Sequence, residues 1–410
     1  MTKNFRWLWA LAVFSNMADG FLGVSVSLLA IRVTDDPFLV SLAGLCSTIP
    51  VLIFSLPSGA LADRFPRLNL MLVANVCRCG LLGVLTWLVI AESLPFVGLC
   101  ALLAVIAIFE PVYDTSNISL IPALAGRDKL VEANARIQGT QLVAQTMIAV
   151  PLAAFLFSAA IFAPFAVALA CYAITVLIVF IMRWILKINT TPSASPSEEK
   201  VSWGKSIAEG WRYVRESKTL FVLFIFAGVS AFFSVFSQSV STMYFIKNFN
   251  VPEALVGAFM ILPALAGLLG MAAAPKLVQK LGQVPALLVS CAIDAAMLVA
   301  IGFANNPWMG GVFVCVRYLG APTAGIVISA MRQAAASDEI LGRVNSLSAM
   351  VVMAGTLVGQ PLGGFLAGFD MRLPWWIGGL CLAILYVFVG KTLWGMEKTK
   401  PEPELAEVAG

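Results

Sequence analysis

Long apolar stretches alternate with short polar ones along almost the whole chain. A helix that crosses a bilayer needs roughly 20 mostly apolar residues, and windows of that length locate twelve such stretches. They cover residues 6–31, 39–62, 68–91, 95–121, 131–157, 162–187, 219–246, 253–278, 285–304, 308–332, 343–368 and 374–395. This pattern predicts an all-α membrane protein with twelve transmembrane helices.

The longest polar stretch, residues 188–218, divides the twelve helices into two groups of six. Its first part is rich in Ser, Thr and Pro, which is typical of a linker. Its second part, from Trp203 to Lys218, has apolar residues at helical spacing with charges between them, which predicts an amphipathic helix at the membrane surface. The predicted domains are an N-terminal six-helix bundle over 1–187, the linker over 188–218, a C-terminal six-helix bundle over 219–395 and a cytoplasmic tail over 396–410.

A short motif in the fifth apolar segment returns in the eleventh. The run from Pro151 to Leu156 reads PLAAFL, and the run from Pro361 to Leu366 reads PLGGFL. The differing positions exchange only Ala for Gly. Because the copies fall at equivalent helix positions, they indicate two pseudo-symmetric halves, the architecture of a transporter with a central cavity.

The loop between the second and third segments, from Gly59 to Arg67, is too short to be anything but a tight turn. If it lies in the cytoplasm and the helices alternate, the outer side keeps only three basic residues, Arg32, Lys247 and Arg372. This asymmetry follows the positive-inside rule. It predicts that both termini are cytoplasmic.

The composition agrees with a membrane protein. Only 12% of the residues are charged and 60% are hydrophobic, whereas a soluble domain carries about 25% charged residues. The net charge of +4 is spread over short loops. Because the basic residues form no continuous stripe, nucleic-acid binding is excluded.

Candidate residues for metal binding and catalysis are few. All eight cysteines lie in apolar segments and the chain has no histidine, so we expect buried thiols, no metal site and no cofactor. No GxxxxGKS or GxxxxGKT phosphate-binding loop is present, which excludes direct drive by ATP. No nucleophile–base arrangement is visible either, so we predict that the protein is not an enzyme.

The loop between the second and third segments also carries a family signature. Gly59, Leu61, Asp63, Arg64 and Arg67 resemble the GxLaDrxgrk loop of the major facilitator superfamily. The resemblance implies two six-helix bundles that transport a solute by alternating access. It also implies a monomer in the plasma (inner) membrane of a bacterium.

Further fragments are similar to the macrolide-efflux and enterobactin-exporter branch of that superfamily. They include the runs Ile121–Leu124 and Leu341–Val344. The resemblance implies export of a small amphipathic molecule, a drug-like compound or a siderophore, usually coupled to proton entry. A lipid or metabolite carrier, including an importer, is the alternative within transport.

Three acids, Asp19, Glu110 and Asp114, lie within apolar segments. An ionisable side chain inside a bilayer costs about 2.5–3.5 kcal/mol on insertion scales and marks a transport pathway or a proton relay. Glu110 and Asp114 are four residues apart and share one helix face, where two carboxylates resist ionising together. We therefore predict that the three acids couple transport to protons. For Glu110 and Asp114 the alternative is a structural role, in which one of them bonds a neighbouring helix or pairs with Arg78.

Other polar and aromatic residues in the apolar segments are candidates for cargo binding. Asn16, Phe109 and Tyr113 lie close to the acids in sequence, and aromatic rings suit planar apolar cargo. Asp294 and Arg317 lie in successive helices of the second half. They either form a structural ion pair or leave Arg317 to bind an anionic group of the cargo.

The signature loop predicts a cytoplasmic gate made of Gly59, Asp63, Arg64, Arg67 and the more distant Arg136 and Arg343. We expect Gly59 to permit close packing. Asp63 then pairs with Arg136 or Arg343, or caps a helix N-terminus, and so holds the cytoplasmic side shut. The alternative is that these charges only fix the topology.

Overall fold

The protein is α-helical wherever the computed structural model describes it, which is over residues 3–125, 129–185, 211–336 and 338–398. Within these ranges there is no β-strand, and twelve helices are long and apolar enough to cross a membrane. The predicted class, a multi-pass membrane protein with twelve transmembrane helices, is confirmed.

The helices begin and end close to the predicted segment ends. Nine of them run without interruption: α1 Lys3–Val33, α2 Pro37–Arg64, α3 Arg67–Ile90, α4 Phe96–Ala125, α8 Glu253–Leu281, α9 Gln283–Gly302, α10 Pro307–Ala335, α11 Asp338–Ala367 and α12 Leu373–Lys398. Polar caps fix several of these ends. The Asp36 carboxylate accepts a hydrogen bond from the Phe38 N–H at 2.8 Å before α2, and Asn306 accepts one from the Met309 N–H at 2.8 Å before α10. Such caps pair backbone donors that the first turn of a helix leaves free.

The other three spans depart from regular α-helix, which the hydropathy pattern does not predict. Helix α5 consists of Leu130–Gln141, a π-helical part Leu142–Ala149 and Val150–Ala159. Helix α6 consists of Ala163–Phe180 and a π-helical part Ile181–Ile185. Helix α7 consists of Lys218–Gln238 and Ser241–Phe249. The π-helical part of α5 ends at Ala149, two residues before Pro151. Proline has no N–H and its ring clashes with the preceding turn, so a widened turn at this place has a physical cause.

The chain divides into two compact units. The first contains residues 1–197, 240–264 and 364–369, and the second contains 198–239, 265–363 and 370–410. Two apolar cores fill the first unit: one surrounds Phe21 and Phe165, and the other surrounds Leu8 and Met71. The domain boundaries at 187, 218 and 395 stay predictions. The first half of the predicted surface helix lies outside the described residues, and its second half is helical over 211–216. Most of the C-terminal tail also lies outside the described residues.

Candidate functional site

Asp19 of α1 is the centre of a buried ionic cluster. The Arg78 guanidinium of α3 donates from Nη2 to Asp19 Oδ1 at 2.5 Å, and the Tyr172 hydroxyl of α6 donates to the same oxygen at 2.6 Å. The guanidinium carbon of Arg78 also lies 4.4 Å from the centre of the Tyr172 ring. The Arg78 side chain is 1% exposed and that of Asp19 is 22% exposed. The cluster therefore ties three helices together with charge-assisted hydrogen bonds.

Glu110 and Asp114 of α4 extend this cluster. Both carboxyl groups interact electrostatically with Asp19 and with Arg78. Glu110 is half-buried and Asp114 is exposed. We call these five residues, Asp19, Arg78, Tyr172, Glu110 and Asp114, the acid-rich cluster. Among the described carboxyl groups only Asp19 is bonded to the guanidinium, so the cluster has three carboxyl groups and one base. Full ionisation would leave an excess of negative charge, and a bound proton would relieve the repulsion.

Buried polar atoms near the acids have unused hydrogen-bonding capacity. Within the described part of the chain, the side-chain amide of Asn75, the Oδ1 of Asn117 and the Nε and Nη1 of Arg78 have no hydrogen-bond partner. Asn75 lies one turn before Arg78 on α3, and Asn117 lies one turn after Asp114 on α4. Because buried polar groups are normally paired, these atoms are exceptions, and they lie on α3 and α4, which carry Arg78 and Asp114.

The position of Asp19 depends on its neighbour, Gly20. A Cβ added to Gly20 would lie 2.5 Å from the carbonyl oxygen of Gln145 and 2.7 Å from the Cβ of Ala149. Both contacts belong to the π-helical part of α5. Since real Cβ atoms do not come this close to a carbonyl oxygen, only glycine lets α1 and α5 meet beside Asp19.

A second ionic group lies in the other unit and joins α7, α9, α10 and α12. The Arg317 guanidinium donates from Nε to Asp294 at 2.6 Å and from Nη2 to the Ser234 hydroxyl at 2.8 Å. The Tyr386 hydroxyl donates to the other oxygen of Asp294 at 2.9 Å. We call these four residues the balanced cluster, since one acid faces one base. The structure thus brings Asp294 and Arg317 together as the predicted ion pair.

The two clusters occupy related positions in the two halves of the sequence. Ser234 follows Asp19 by about 215 residues. The same spacing separates Asp294 from Arg78 and Tyr386 from Tyr172. This spacing is close to that of the PLAAFL and PLGGFL repeat. Sequence reasoning missed Tyr172 and Tyr386, although the repeat spacing carries the signal that relates them.

The predicted cargo residues have different surroundings. The Asn16 side chain donates to the Ala12 carbonyl of its own helix at 2.6 Å, and Phe109 packs against the core that contains Met71. Tyr113 is only 2% exposed and belongs to that core. In this structure the Tyr113 ring therefore lies in the packed interior, and its role in cargo binding stays a prediction.

The signature loop only partly resembles the predicted gate. Arg67 donates to the Ser119 carbonyl at 2.8 Å, and Arg136 donates to Glu132 on its own helix at 3.0 Å. No described atom lies within 4 Å of a Cβ built on Gly59, and the role of Gly59 in the gate stays a prediction. The side chain of Asp63 lies outside the described part; Arg64 is exposed and Arg343 is half-buried.

Two further ion pairs lie at residues that the charge pattern places on the outer side. Arg32, near the end of α1, donates from Nε and Nη2 to the two carboxylate oxygens of Glu253 at 2.8 and 2.9 Å. Lys247 of α7 pairs with Asp35. This ammonium lowers the pKa of the Asp35 carboxyl below its usual range, first through the hydrogen bond and then through its charge. All four residues belong to the first unit.

Comparison with known proteins gives a consistent result. A model of the Major Facilitator Superfamily matches residues 8–339. The chain is 26% identical to the uncharacterized MFS-type transporter YceJ of Bacillus subtilis over 77% of this chain and 76% of the relative. It is 24% identical to the enterobactin exporter EntS of Escherichia coli O1:K1 over 88% of this chain and 84% of the relative.

The fold also has solved counterparts. A bacterial homologue of the iron transporter ferroportin, in an inward-facing state, superposes with a TM-score of 0.74 at 18% identity. The match covers 95% of this chain and 99% of that protein. At this identity the likeness concerns the fold.

Proposed function

Since the chain belongs to the Major Facilitator Superfamily, we propose that it exports a small amphipathic molecule, a drug-like compound or a siderophore, from the cytoplasm by alternating access. Similarity to an enterobactin exporter over 88% of the chain supports the direction and the cargo class. The protein acts in this proposal as a monomeric proton antiporter, so that each export step is driven by proton entry.

The charge imbalance of the acid-rich cluster is the observation that carries the coupling proposal. Asp19 already accepts hydrogen bonds from Arg78 and Tyr172. We therefore assign proton uptake to Glu110 and Asp114, which share the same guanidinium without being its direct partners. Their protonation neutralises the excess charge and leaves the Asp19–Arg78 pair intact.

Loss of that proton gives the cluster two states. When Glu110 and Asp114 ionise, the added negative charge attracts Arg78 and competes with Asp19 for it. Because Asp19, Arg78 and Glu110 lie on α1, α3 and α4, a shift of the guanidinium changes the contacts between three helices. A proton can bias a conformational equilibrium only through such a difference in interaction between the states.

The cargo is expected to contact the same region. Asn75 and Asn117 offer unpaired buried polar atoms beside the acids, and Asn16 and Phe109 lie on the same two helices as Asp19 and Glu110. If cargo binding displaces the proton from Glu110 or Asp114, the protein carries either cargo or a proton at one time. Export of cargo then alternates with entry of a proton. In this proposal the balanced cluster is structural, since Asp294 and Arg317 neutralise each other.

The cytoplasmic gate remains part of the proposal. Asp63, Arg64 and Arg67 form it together with Arg136 and Arg343. The Arg67 contact with the Ser119 carbonyl ties the signature loop to α4, the helix that carries Glu110 and Asp114. That connection gives the proton site a direct mechanical link to the loop.

The test is transport into and out of proteoliposomes that contain a pH-sensitive dye, with enterobactin and a macrolide as probes. An imposed proton gradient should drive either probe through the wild type, and Asp19→Asn, Glu110→Gln and Asp114→Asn should each abolish this. Glu92→Gln, at an exposed acid outside the cluster, is the matched control and should transport normally. Unimpaired export by all three variants would refute the coupling, and proton movement in the same direction as the probe would favour a symporter.

A further inference from the structure

A groove in the second unit runs between α8, α9 and α10 and ends at two lysines. Its cavity volume is about 540 Å³. Lys276 and Lys280 mark the end that is nearest to the turn between α8 and α9. The wall is mostly apolar and includes Gly270, Ala273, Leu277, Ile293, Val316 and Leu319.

The length of the groove matches one leaflet of a bilayer. From Gly270 to Lys280 the helix advances by ten residues, which is about 15 Å at 1.5 Å per residue. The hydrocarbon core of a bilayer is about 30 Å thick, so one leaflet contributes about 15 Å. The two lysines therefore lie where the hydrocarbon ends, and the apolar wall extends towards the bilayer centre.

The side chains at the groove face outward. Val316 and Leu319 are 38% and 45% exposed on a transmembrane helix, so the lipid phase is their natural contact. Lys276 and Lys280 are exposed as well, and neither forms an ion pair with any described residue. The groove thus combines an apolar channel with two uncompensated cations at one end.

The neighbouring helix start adds to the positive potential at this end. Helix α9 begins at Gln283, three residues after Lys280, and its N-cap residue Gly282 provides no side-chain cap. The first N–H groups of a helix favour a bound anion. These donors lie beside the turn that follows Lys280, whereas α9 lines the groove itself with Ser290 and Ile293.

We propose that this groove binds an anionic phospholipid of the leaflet that the charge pattern places on the cytoplasmic side. Its phosphate lies between Lys276 and Lys280, and one acyl chain lies along Ala273, Val316 and Leu319. Basic pockets between transmembrane helices on the cytoplasmic side recognise anionic headgroups in this way. The site is distant in sequence from the acid-rich cluster and does not depend on the proposed export function.

The test is native mass spectrometry of the purified full-length protein with phosphatidylglycerol or phosphatidylcholine of equal chain length. The wild type should retain phosphatidylglycerol in preference, and Lys276→Ala with Lys280→Ala should weaken this retention about 30-fold, since each lysine near an anionic lipid contributes about fivefold. Arg6→Ala with Lys129→Ala removes the same charge from two exposed residues outside the groove and should change little.

A second variant tests the apolar part of the site. Ala273→Phe fills the groove while both lysines remain, so it should also reduce retention of phosphatidylglycerol. Equal retention by the wild type and the double lysine variant would overturn the proposal. Displacement of the lipid by excess inorganic phosphate, with no effect of Ala273→Phe, would show a simple anion site and would overturn the lipid assignment too.

Discussion

The acid-rich and balanced clusters have the same framework and a different charge. Each has a tyrosine of the last helix of a six-helix half that donates to an aspartate, and each aspartate pairs with an arginine. The acid-rich cluster adds Glu110 and Asp114, whereas the balanced cluster adds the neutral hydroxyl of Ser234. The shared framework therefore holds helices together in both halves, whereas the carboxyl groups are in excess in the acid-rich cluster and not in the balanced one.

The acid and the base also exchange helices between the halves. In the acid-rich cluster the acid is on α1 and the arginine is on α3. In the balanced cluster a serine occupies the position related to Asp19, an aspartate occupies that related to Arg78, and the arginine comes from α10. Both halves therefore have a polar contact among related helices, but the helix that supplies the acid and the helix that supplies the base differ between them.

The largest expected difference between the clusters is in transport. Glu110→Gln combined with Asp114→Asn should abolish proton-driven movement of enterobactin in proteoliposomes, because no excess carboxylate remains to take up a proton. Asp294→Asn should keep proton-driven transport in the protein that remains folded. Equal loss in the two variants would mean that the balanced cluster also takes part in coupling.

Removal of the buried base should have the largest effect on stability. Arg78→Met leaves Asp19 without its cation, and breaking a buried ion pair in this way costs about 3–5 kcal/mol. Thermal unfolding in detergent measures the loss. Adding Asp19→Asn to Arg78→Met should restore most of it, whereas a further loss of stability would show that the two residues do not act as a pair.

The tyrosines allow a matched comparison at both sites. Tyr172→Phe and Tyr386→Phe each remove one hydrogen bond to a carboxylate, which contributes about 1.5–3 kcal/mol. Both should lower the unfolding temperature. Only Tyr172→Phe should also shift the pH profile of transport, and a shift in both variants would contradict the assignment of proton chemistry to one cluster.

Gly20 tests whether the position of α1 beside α5 matters for the acid-rich cluster. Gly20→Ala forces a Cβ against the Gln145 carbonyl, and overpacking of this kind costs about 1–3 kcal/mol. Gly23→Ala is the control on the same helix, since a Cβ there would have no atom within 4 Å. Thermal unfolding should separate the two variants, and equal unfolding temperatures would contradict the close approach.

The outer ion pairs should contribute least. Glu253→Gln removes the charge that pairs with Arg32, whose side chain is 54% exposed. A solvent-exposed ion pair contributes at most about 1 kcal/mol to the free energy of unfolding. A thermal shift in low and high salt measures this, because screening weakens exposed pairs. A large loss that salt does not change would mean that Glu253 has a buried role.

The neighbouring pair provides the pH control. Because Lys247 lowers the pKa of Asp35, this pair stabilises the protein above the usual aspartate pKa, and the contribution is lost as the pH falls through the lowered value. Lys247→Ala should therefore remove part of the stability difference between neutral and strongly acidic solution. The same pH dependence in the variant and the wild type would show that the pair contributes nothing.

Hydropathy predicts most of the fold, because length and apolarity decide whether a helix can span a membrane. It does not reveal the π-helical part of α5, since that feature depends on Pro151 and on packing against Gly20. The pair of Asp294 and Arg317 was predictable, because two opposite charges in successive helices have few other partners within the bilayer.

The partner of Asp19 was harder to predict. Arg78 follows it by 59 residues, and apolar periodicity does not tell which faces of α1 and α3 meet. For the same reason the sequence pattern does not reveal that the Tyr113 ring is buried. The open surroundings of Gly59 show a related limit, because a glycine in a motif does not by itself identify a close contact.

The most direct test of the central claim is the number of protons that the purified protein releases when cargo binds. Enterobactin is added to the protein in weakly buffered detergent solution, and a pH indicator follows the release. The wild type and Asp294→Asn should release the same number of protons, and the Glu110→Gln, Asp114→Asn double variant should release none. Equal release by the double variant and the wild type would contradict the assignment of proton coupling to the acid-rich cluster.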